Sequence, residues 1–416
     1  MGIDLRQVMA AILTFSMFVM LGNMIKRDHI DPLLEPLPVT SKVQYEVLKV
    51  SKPGMMKLSG IEYGPWKQQN EPIKPCWKMP SSKGKNQKSS GYVFVSLTHG
   101  PEYHALQIAN AVIVARLLGA TLALPDIRGT KLGEKRNFGE IYDVNKFITS
   151  LNGIVRVDKN PPTESSNEKL PIVQVPNKVS EQFVASNIKP IFQNKRNLKI
   201  VTYFNSSTKE KMTSTLNSYQ CLAMFQSLKL QPELQELVDS MVGTLRSLSQ
   251  KTRCRFIAVD LRVDVLEKKG CQESDFASKR CYKAEEIGDF LKKIGFHRDT
   301  TIYLTQTGWH SRLNGLRDVF PNTFTKDAII PADEKAKFVD SESRDYEKFI
   351  DFYMCTQGDA FIPVFPSRFY EGVVGERIAL GKTQIFIPSK KISTSADDYI
   401  PPYIAKKTHF AHSCFC

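Results

Sequence analysis

From Gly91 onward, short runs of β-branched and other apolar residues alternate with stretches whose apolar residues recur at helical spacing. Parallel strands need a crossover segment between them, so this alternation predicts an α/β fold with parallel sheets. Tyr92 to Leu97 (YVFVSL) reads as a strand, Thr98 to His104 as a turn, and Ala105 to Leu118 as a helix stopped by Gly119. Thr121 to Leu124 is the second strand, which completes a βαβ unit and opens a Rossmann-like sheet. No Gly-x-Gly-x-x-Gly follows the first strand, so the dinucleotide fingerprint is absent. Gly100 in the turn would let backbone N–H groups approach a phosphate, or it serves the turn alone.

Between Asp126 and Leu198 the chain is polar with few strong periods, and Lys199 to Phe204 (KIVTYF) resumes a strand. Pro232 to Ser249 has the spacing of an amphipathic helix that crosses between two halves. The second half opens on RFIAVDLRVD, Arg255 to Asp264, in which Phe256 to Asp260 predicts a short buried strand. Asp260 and Arg262 stand at its C-terminal end, the side on which open parallel sheets bind ligands. They are a site candidate or a surface ion pair. Helices are expected over Ala284 to Ile294, Leu313 to Val319, Phe349 to Cys355 and Phe369 to Ala379. Strands are expected over Thr301 to Leu304, Ala360 to Val364 and Gln384 to Pro388.

Ahead of this body, Val8 to Ile25 is apolar over about 18 residues between Arg6 and Lys26-Arg27, long enough to cross a thin bilayer. A weak n-region and no small-x-small site before Lys26 favour an uncleaved signal-anchor over a signal peptide or a membrane-surface helix. The Pro-, Lys- and Ser-rich stretch that follows reads as a stem, which Cys76-Trp77 could tie back onto the body. This gives a tail over residues 1–7, an anchor over 8–25, a stem over 26–90 and two Rossmann-like domains over 91–249 and 250–416. The eight cysteines include no Cys-x-x-Cys, which argues against zinc. Cys271 and Cys281 are a disulfide candidate in an oxidising compartment, and Asn205-Ser206-Ser207 is a glycosylation sequon. The net charge of +14 is spread along the chain without a nucleic-acid-binding motif, so nucleic acid is not an expected partner.

In order, the chain carries GPEYHALQ in the turn, VDLR, AEEIGDFLKKIGF, TTIYLTQ, LRDVFPNTFTK and DFYMCTQGDAFIPVFPSRFYEGVVGER. This series resembles the plant O-fucosyltransferase superfamily over essentially the whole chain. The opening MGIDLRQVMAAILTFSMFVMLGNMIKRDH and the closing HSCFC resemble the mannan synthesis-related proteins within it. The resemblance implies a GT-B-like fold of two facing Rossmann-like domains and a type II Golgi membrane protein with a lumenal catalytic domain. It implies transfer of a sugar from a nucleotide donor, GDP-fucose in the O-fucosyltransferases and UDP-rhamnose in pectin-synthesising relatives, with a GDP-sugar expected here and mannan or glucomannan synthesis as the setting.

Carried over residue by residue, the family's His-Leu-Arg becomes Asp260-Leu261-Arg262. Arg262 would hold the donor diphosphate and offset charge on the leaving group, with Asp260 beside it as a candidate base. The family's Gly-Gly-Leu-Asn-Gln becomes Gly100-Pro101-Glu102-Tyr103-His104, which leaves Tyr103 or His104 to replace the amide and Glu102 as a second candidate base. Ser-Asp-x-Phe keeps Asp359 and Phe361, Ser367-Arg368-Phe369 matches Ser-Ser-Phe, and Gly375-x-Arg377 matches Gly-x-Arg. For Asp359 a helix or turn cap is the alternative to a donor contact. No Asp-x-Asp occurs, so Arg262, Arg368 and Arg377 would carry the diphosphate in a metal-independent, inverting transfer without a cofactor. The altered motif positions keep open a non-catalytic protein that binds glycan or a mannan synthase; protein O-fucosylation is a third reading.

Overall fold

The computed structural model describes residues 64–67, 74–77, 89–98, 100–129, 133–161, 170–204, 214–268, 281–339, 344–389 and 391–415. All of these except Phe204 belong to one compact unit, Leu58–Tyr203 with Lys209–Cys416. The expected anchor, Asn205 and Cys271 lie outside the described residues. Among the described residues no helix is long and apolar enough to cross a membrane.

Among the described residues the first sheet has seven strands: β1 (Tyr92–Leu97), β2 (Thr121–Ala123), β3 (Asp126–Arg128), β4 (Lys135–Asn137), β5 (Arg156–Asp158), β6 (Ile172–Val175) and β7 (Asn197–Thr202). β1 is central because its apolar residues are buried between β7 on one side and β2 on the other, all parallel. β2 and β3 lie in succession along β1, and β4 closes this side as an antiparallel partner of β3. β5 and β6 extend the sheet beyond β2 and β7. They arise from the polar excursion, where three- and four-residue strands are too short to show a period.

Helix α1 (Pro101–Leu118) follows β1, starting four residues before the apolar spacing begins. Pro101 at its first position accounts for the early start, because the fixed φ of proline suits the first helical turn. Gly119 ends the helix in the left-handed conformation, φ 63°, with its N–H on the carbonyls of Ala115 and Arg116. Helix α2 (Ser214–Phe225) packs on α1, and α3 (Pro232–Leu248) then leads into the second half.

The second sheet holds β8 (Phe256–Asp260), β9 (Thr301–Leu304), β10 (Thr323–Phe324) and β11 (Ala360–Pro363), all parallel in the order β10-β9-β8-β11. The stretch expected as a last strand contributes one bridge, Ile385 to Phe361. Helices α4 (Ala284–Lys293), α5 (Arg344–Gln357) and α6 (Arg368–Ala379) flank this half. β8 is buried at all five positions, as a strand covered on both faces must be. One face, with Ile257, Val259, Ile302 and Ile362, packs with Ile287 and Leu291 of α4. The other, with Phe256, Ala258, Tyr303 and Phe361, joins the core of the first half. α6 and α5 both lie against α1, so the two sheets share a continuous apolar interior.

The C-terminal segment returns to the first half. Cys414 is disulfide-bonded to Cys221 in α2, and its carbonyl accepts from Cys76 N at 2.9 Å. Pro75 bridges Phe415, and Trp77 packs edge-on against the Phe415 ring. These contacts tie the end of the expected stem to the body, and Cys76 is itself disulfide-bonded. Cys281 is also in a disulfide, whereas Cys355 is a buried free thiol. The Cys221–Cys414 link spans 193 residues, and closing so long a loop restricts the unfolded chain strongly. Replacing both Cys221 and Cys414 by Ser should cost roughly 2–5 kcal/mol. A urea-unfolding midpoint equal to that of the wild type would contradict this.

Candidate active site

The candidate site, at the strand ends where an open parallel sheet offers a crevice, lies at the C-terminal ends of β8 and β11, beside the N-terminus of α1. Asp260, the last residue of β8, is only 2% exposed. Its Oδ1 accepts from Thr305 Oγ1 at 2.8 Å, just past β9, and lies 3.5 Å from Arg262 Nε. The surface ion-pair alternative therefore fails on burial. Arg262 keeps a side chain 26% exposed, its guanidinium 5.4 Å over the ring of Phe369. Its Nε is buried without a hydrogen bond. Burial by itself would lower the Arg262 pKa, but Asp260, Asp351, Asp264 and Glu102 together raise it. A cation held among acids and partly open to solvent can receive an anionic group, if that group competes with its carboxylates.

After β11 the chain turns into α6. Ser367 caps that helix by accepting from Tyr370 N at 3.1 Å, and Arg368 pairs with Glu371 at 2.7 Å. Phe369 is buried, 3% exposed, below Arg262. From the first half, Gly100 caps α1 with φ −101°, an ordinary extended conformation. A Cβ there would lie 2.7 Å from both carboxylate oxygens of Glu102, so a larger residue would make that flexible carboxylate turn away. Tyr103 is half-buried one residue on.

His104 does not face this crevice. It is fully buried, with Nδ1 2.8 Å from Tyr142 Oη and Nε2 2.5 Å from the Thr98 carbonyl oxygen. Nε2–H therefore donates to the carbonyl and Nδ1 accepts from the tyrosine, which leaves no ring nitrogen for a donor. Asp359 and Arg377 lie at the other end of the second sheet. Asp359 precedes β11 and its Oδ2 accepts from Phe256 N at 3.0 Å, the first residue of β8. That places it about 13 Å along the strand from Asp260. It acts as a strand-end cap, with Arg246 3.5 Å away. Arg377 is 0% exposed and donates to the carbonyls of Cys355, Gly358, Asp359 and Gln384 at 2.6–3.2 Å. Burial pulls its pKa down to about 10. Phe361 is a core residue of β11, 0% exposed. The matched motif residues thus divide between the crevice and the scaffold behind it.

Several residues at the crevice escaped the sequence reading. Lys348 Nζ lies 2.6 Å from Glu102 Oε1. Lys326, 0% exposed, bonds Asp351 Oδ2 at 2.9 Å and lies 3.5 Å from Glu347. Tyr303 donates to Asp351 Oδ1 at 2.7 Å, and Thr307 donates to Glu347. Burial pushes Asp351 up against the pull of Lys326. Only Asp351 had a sequence signal, a carboxylate inside the apolar run FIDFYMC.

A family profile described as GDP-fucose protein O-fucosyltransferase matches residues 92–380. The Arabidopsis thaliana Protein MANNAN SYNTHESIS-RELATED 1 is 49% identical over 424 residues, covering 100% of both chains. The Trigonella foenum-graecum Protein MANNAN SYNTHESIS-RELATED is 44% identical over 419 residues, again covering 100% of both. A crystal structure of POFUT1 in complex with GDP aligns at 14% identity and TM-score 0.40, covering 72% of this chain and 98% of that one.

The carbonyl clamp around Arg377 separates scaffold from site experimentally. Arg377→Met leaves several buried carbonyls without donors and should cost at least ~3 kcal/mol. Arg377→Lys should recover little of this, since an ammonium cannot fork across these four carbonyls. A denaturation midpoint unchanged in Arg377→Met would return this arginine to the list of ligand-binding groups.

Proposed function

The chain belongs to the GDP-fucose protein O-fucosyltransferase family, and from that premise we propose that it transfers a sugar from a nucleotide donor, a GDP-sugar, in the synthesis of plant mannan or glucomannan. Relatives named mannan synthesis-related, 44–49% identical along the whole chain, support the setting. The observation that carries the reaction is Arg262, partly exposed at the C-terminal edge of β8 with an unbonded Nε. On this reading its guanidinium takes the donor diphosphate and offsets charge as the glycosidic bond breaks. Asp260 and Thr305 orient it. Ser367, Arg368 and Phe369 border the same donor, and Tyr103 borders it from the first half. Gly100 gives the α1 N-terminus room beside it. Glu102, rather than Asp260, is assigned to the acceptor hydroxyl, because Asp260 is already engaged by both Thr305 and Arg262. Transfer inverts the anomeric centre. The two halves, residues 91–249 and 250–416, act as GT-B-like domains.

The reading includes no resident metal. It also assigns the body to the Golgi lumen behind a type II anchor. Disulfide-bonded Cys76, Cys221, Cys281 and Cys414 support an oxidising compartment. The acceptor is a polysaccharide or glycan, with a mannan synthase as partner. A second reading, a non-catalytic glycan- or synthase-binding protein, draws on Asp260, which partly neutralises the arginine a donor needs.

A thermal-shift and calorimetric screen of the purified chain against GDP-mannose, GDP-fucose, GDP-glucose and UDP-rhamnose separates these readings. We expect a GDP-sugar to raise the melting temperature and EDTA to leave turnover unchanged. Arg262→Ala by itself would strand a buried carboxylate, so the informative variant is Asp260→Asn with Arg262→Ala. It should fold and lose at least ~10-fold in donor affinity, the loss of a charge-assisted contact. Binding of no donor by the wild type would sink the enzyme reading. Fucose transfer to a folded protein acceptor, with none to glycan, would favour protein O-fucosylation.

A further inference from the structure

Glu102 is seated with unusual care for a residue in the first turn of a helix. Its side chain is 4% exposed, yet only Oε1 is bonded, at 2.6 Å to Lys348 Nζ. Oε2 is buried without a hydrogen-bond partner. A buried pair serving stability alone would satisfy both oxygens, since an unpaired buried acceptor is a standing cost. Two glycines make the room. A Cβ at Gly100 would meet the carboxylate at 2.7 Å, and one at Gly372 of α6 would lie 3.0 Å from the Glu102 Cβ and 3.1 Å from its Cα. Glu102 is also close enough to Arg262 for its charge to act on that guanidinium. The carboxylate therefore stands where α1, α5, α6 and the end of β8 meet.

We propose that Lys348 is a positioning residue of the active site: it grips Glu102 Oε1 so that Oε2 is left to accept a hydroxyl of the acceptor sugar. This rests on the glycosyltransferase reading above. Lys348 is the more exposed partner, 27% against 4%, so the pair meets solvent on the lysine side. Its long, mobile stem lets the ammonium shift while keeping its charge on Oε1. In the transfer step the acceptor oxygen forms the new bond to the anomeric carbon and its proton passes to Glu102 Oε2. The bond from that carbon to the diphosphate oxygen breaks, and its electron pair leaves with the diphosphate beside Arg262. Lys348 makes no contact with the reacting atoms in this scheme. Its effect is on rate through Glu102, with donor affinity untouched.

The test uses the full chain in detergent, with GDP-mannose and GDP-fucose in parallel, a manno-oligosaccharide acceptor, and GDP release as the signal. Lys348→Met should lower kcat on the order of 100-fold, the scale of a lost general base, with calorimetric GDP affinity unchanged. Lys348→Arg should restore kcat to within about threefold, because it keeps the cation opposite Oε1. Should Lys348→Met fold poorly, Glu102→Gln with Lys348→Met removes both charges and should recover stability without turnover. Turnover of Lys348→Met within about twofold of an active wild type overturns this proposal alone. So does a loss of GDP affinity equal to the loss of turnover. A wild type that releases GDP from neither donor overturns both the glycosyltransferase reading and this one.

Discussion

Gly372 lets the backbone of α6 come so close to α1 that a Cβ there would crowd Glu102. Through that contact the strand ends of both halves meet at one crevice. α6 starts at the end of β11 and α1 starts at the end of β1, so their packing brings two N-terminal helix ends and two charged turns together. The shared apolar interior holds this arrangement. Phe256, Ala258, Tyr303 and Phe361 face the first half rather than solvent, and the two phenylalanines each contribute about 1.5–3 kcal/mol when removed from water. The disulfide from Cys414 to α2 and the pairing of Pro75 with Phe415 add a second tie at the chain's end.

Charge is arranged with similar economy. Arg262 answers Asp260, Lys348 answers Glu102, and Lys326 answers Asp351 and Glu347, each pair at least partly buried. Isolated buried charges are expensive, so the cations and acids must come together. The result is a crevice without a strong excess of either sign. A diphosphate would gain from Arg262 only by sharing it with Asp260. Arg377 illustrates the opposite use of the same residue type. Its guanidinium is spent on main-chain carbonyls at the far edge of the sheet, where it joins α5, α6 and the start of β11.

The residue pattern determined most of the second half's architecture: β8 and β9 at their observed bounds, α4 and α6 within a residue, and the βαβ opening of the first half. Those elements are long or strongly patterned, and burial on both faces leaves a nearly unbroken apolar run that can be read directly. The order of motifs likewise determined the family, and Asp260 and Arg262 were legible because a charged pair ends an apolar strand. What only the tertiary structure decided is which motif residues reach the crevice. Asp359 and Asp260 flank strands that run parallel and in register, so one lies at each end of the sheet, a fact that depends on pairing and not on spacing. His104 and Arg377 match motif positions but are enclosed by Tyr142 and by carbonyls contributed from elsewhere in the chain. Lys348 lies 246 residues from Glu102, and no local period could have joined them. Their meeting requires α5 and α1 to pack together, and that packing is a property of the folded core.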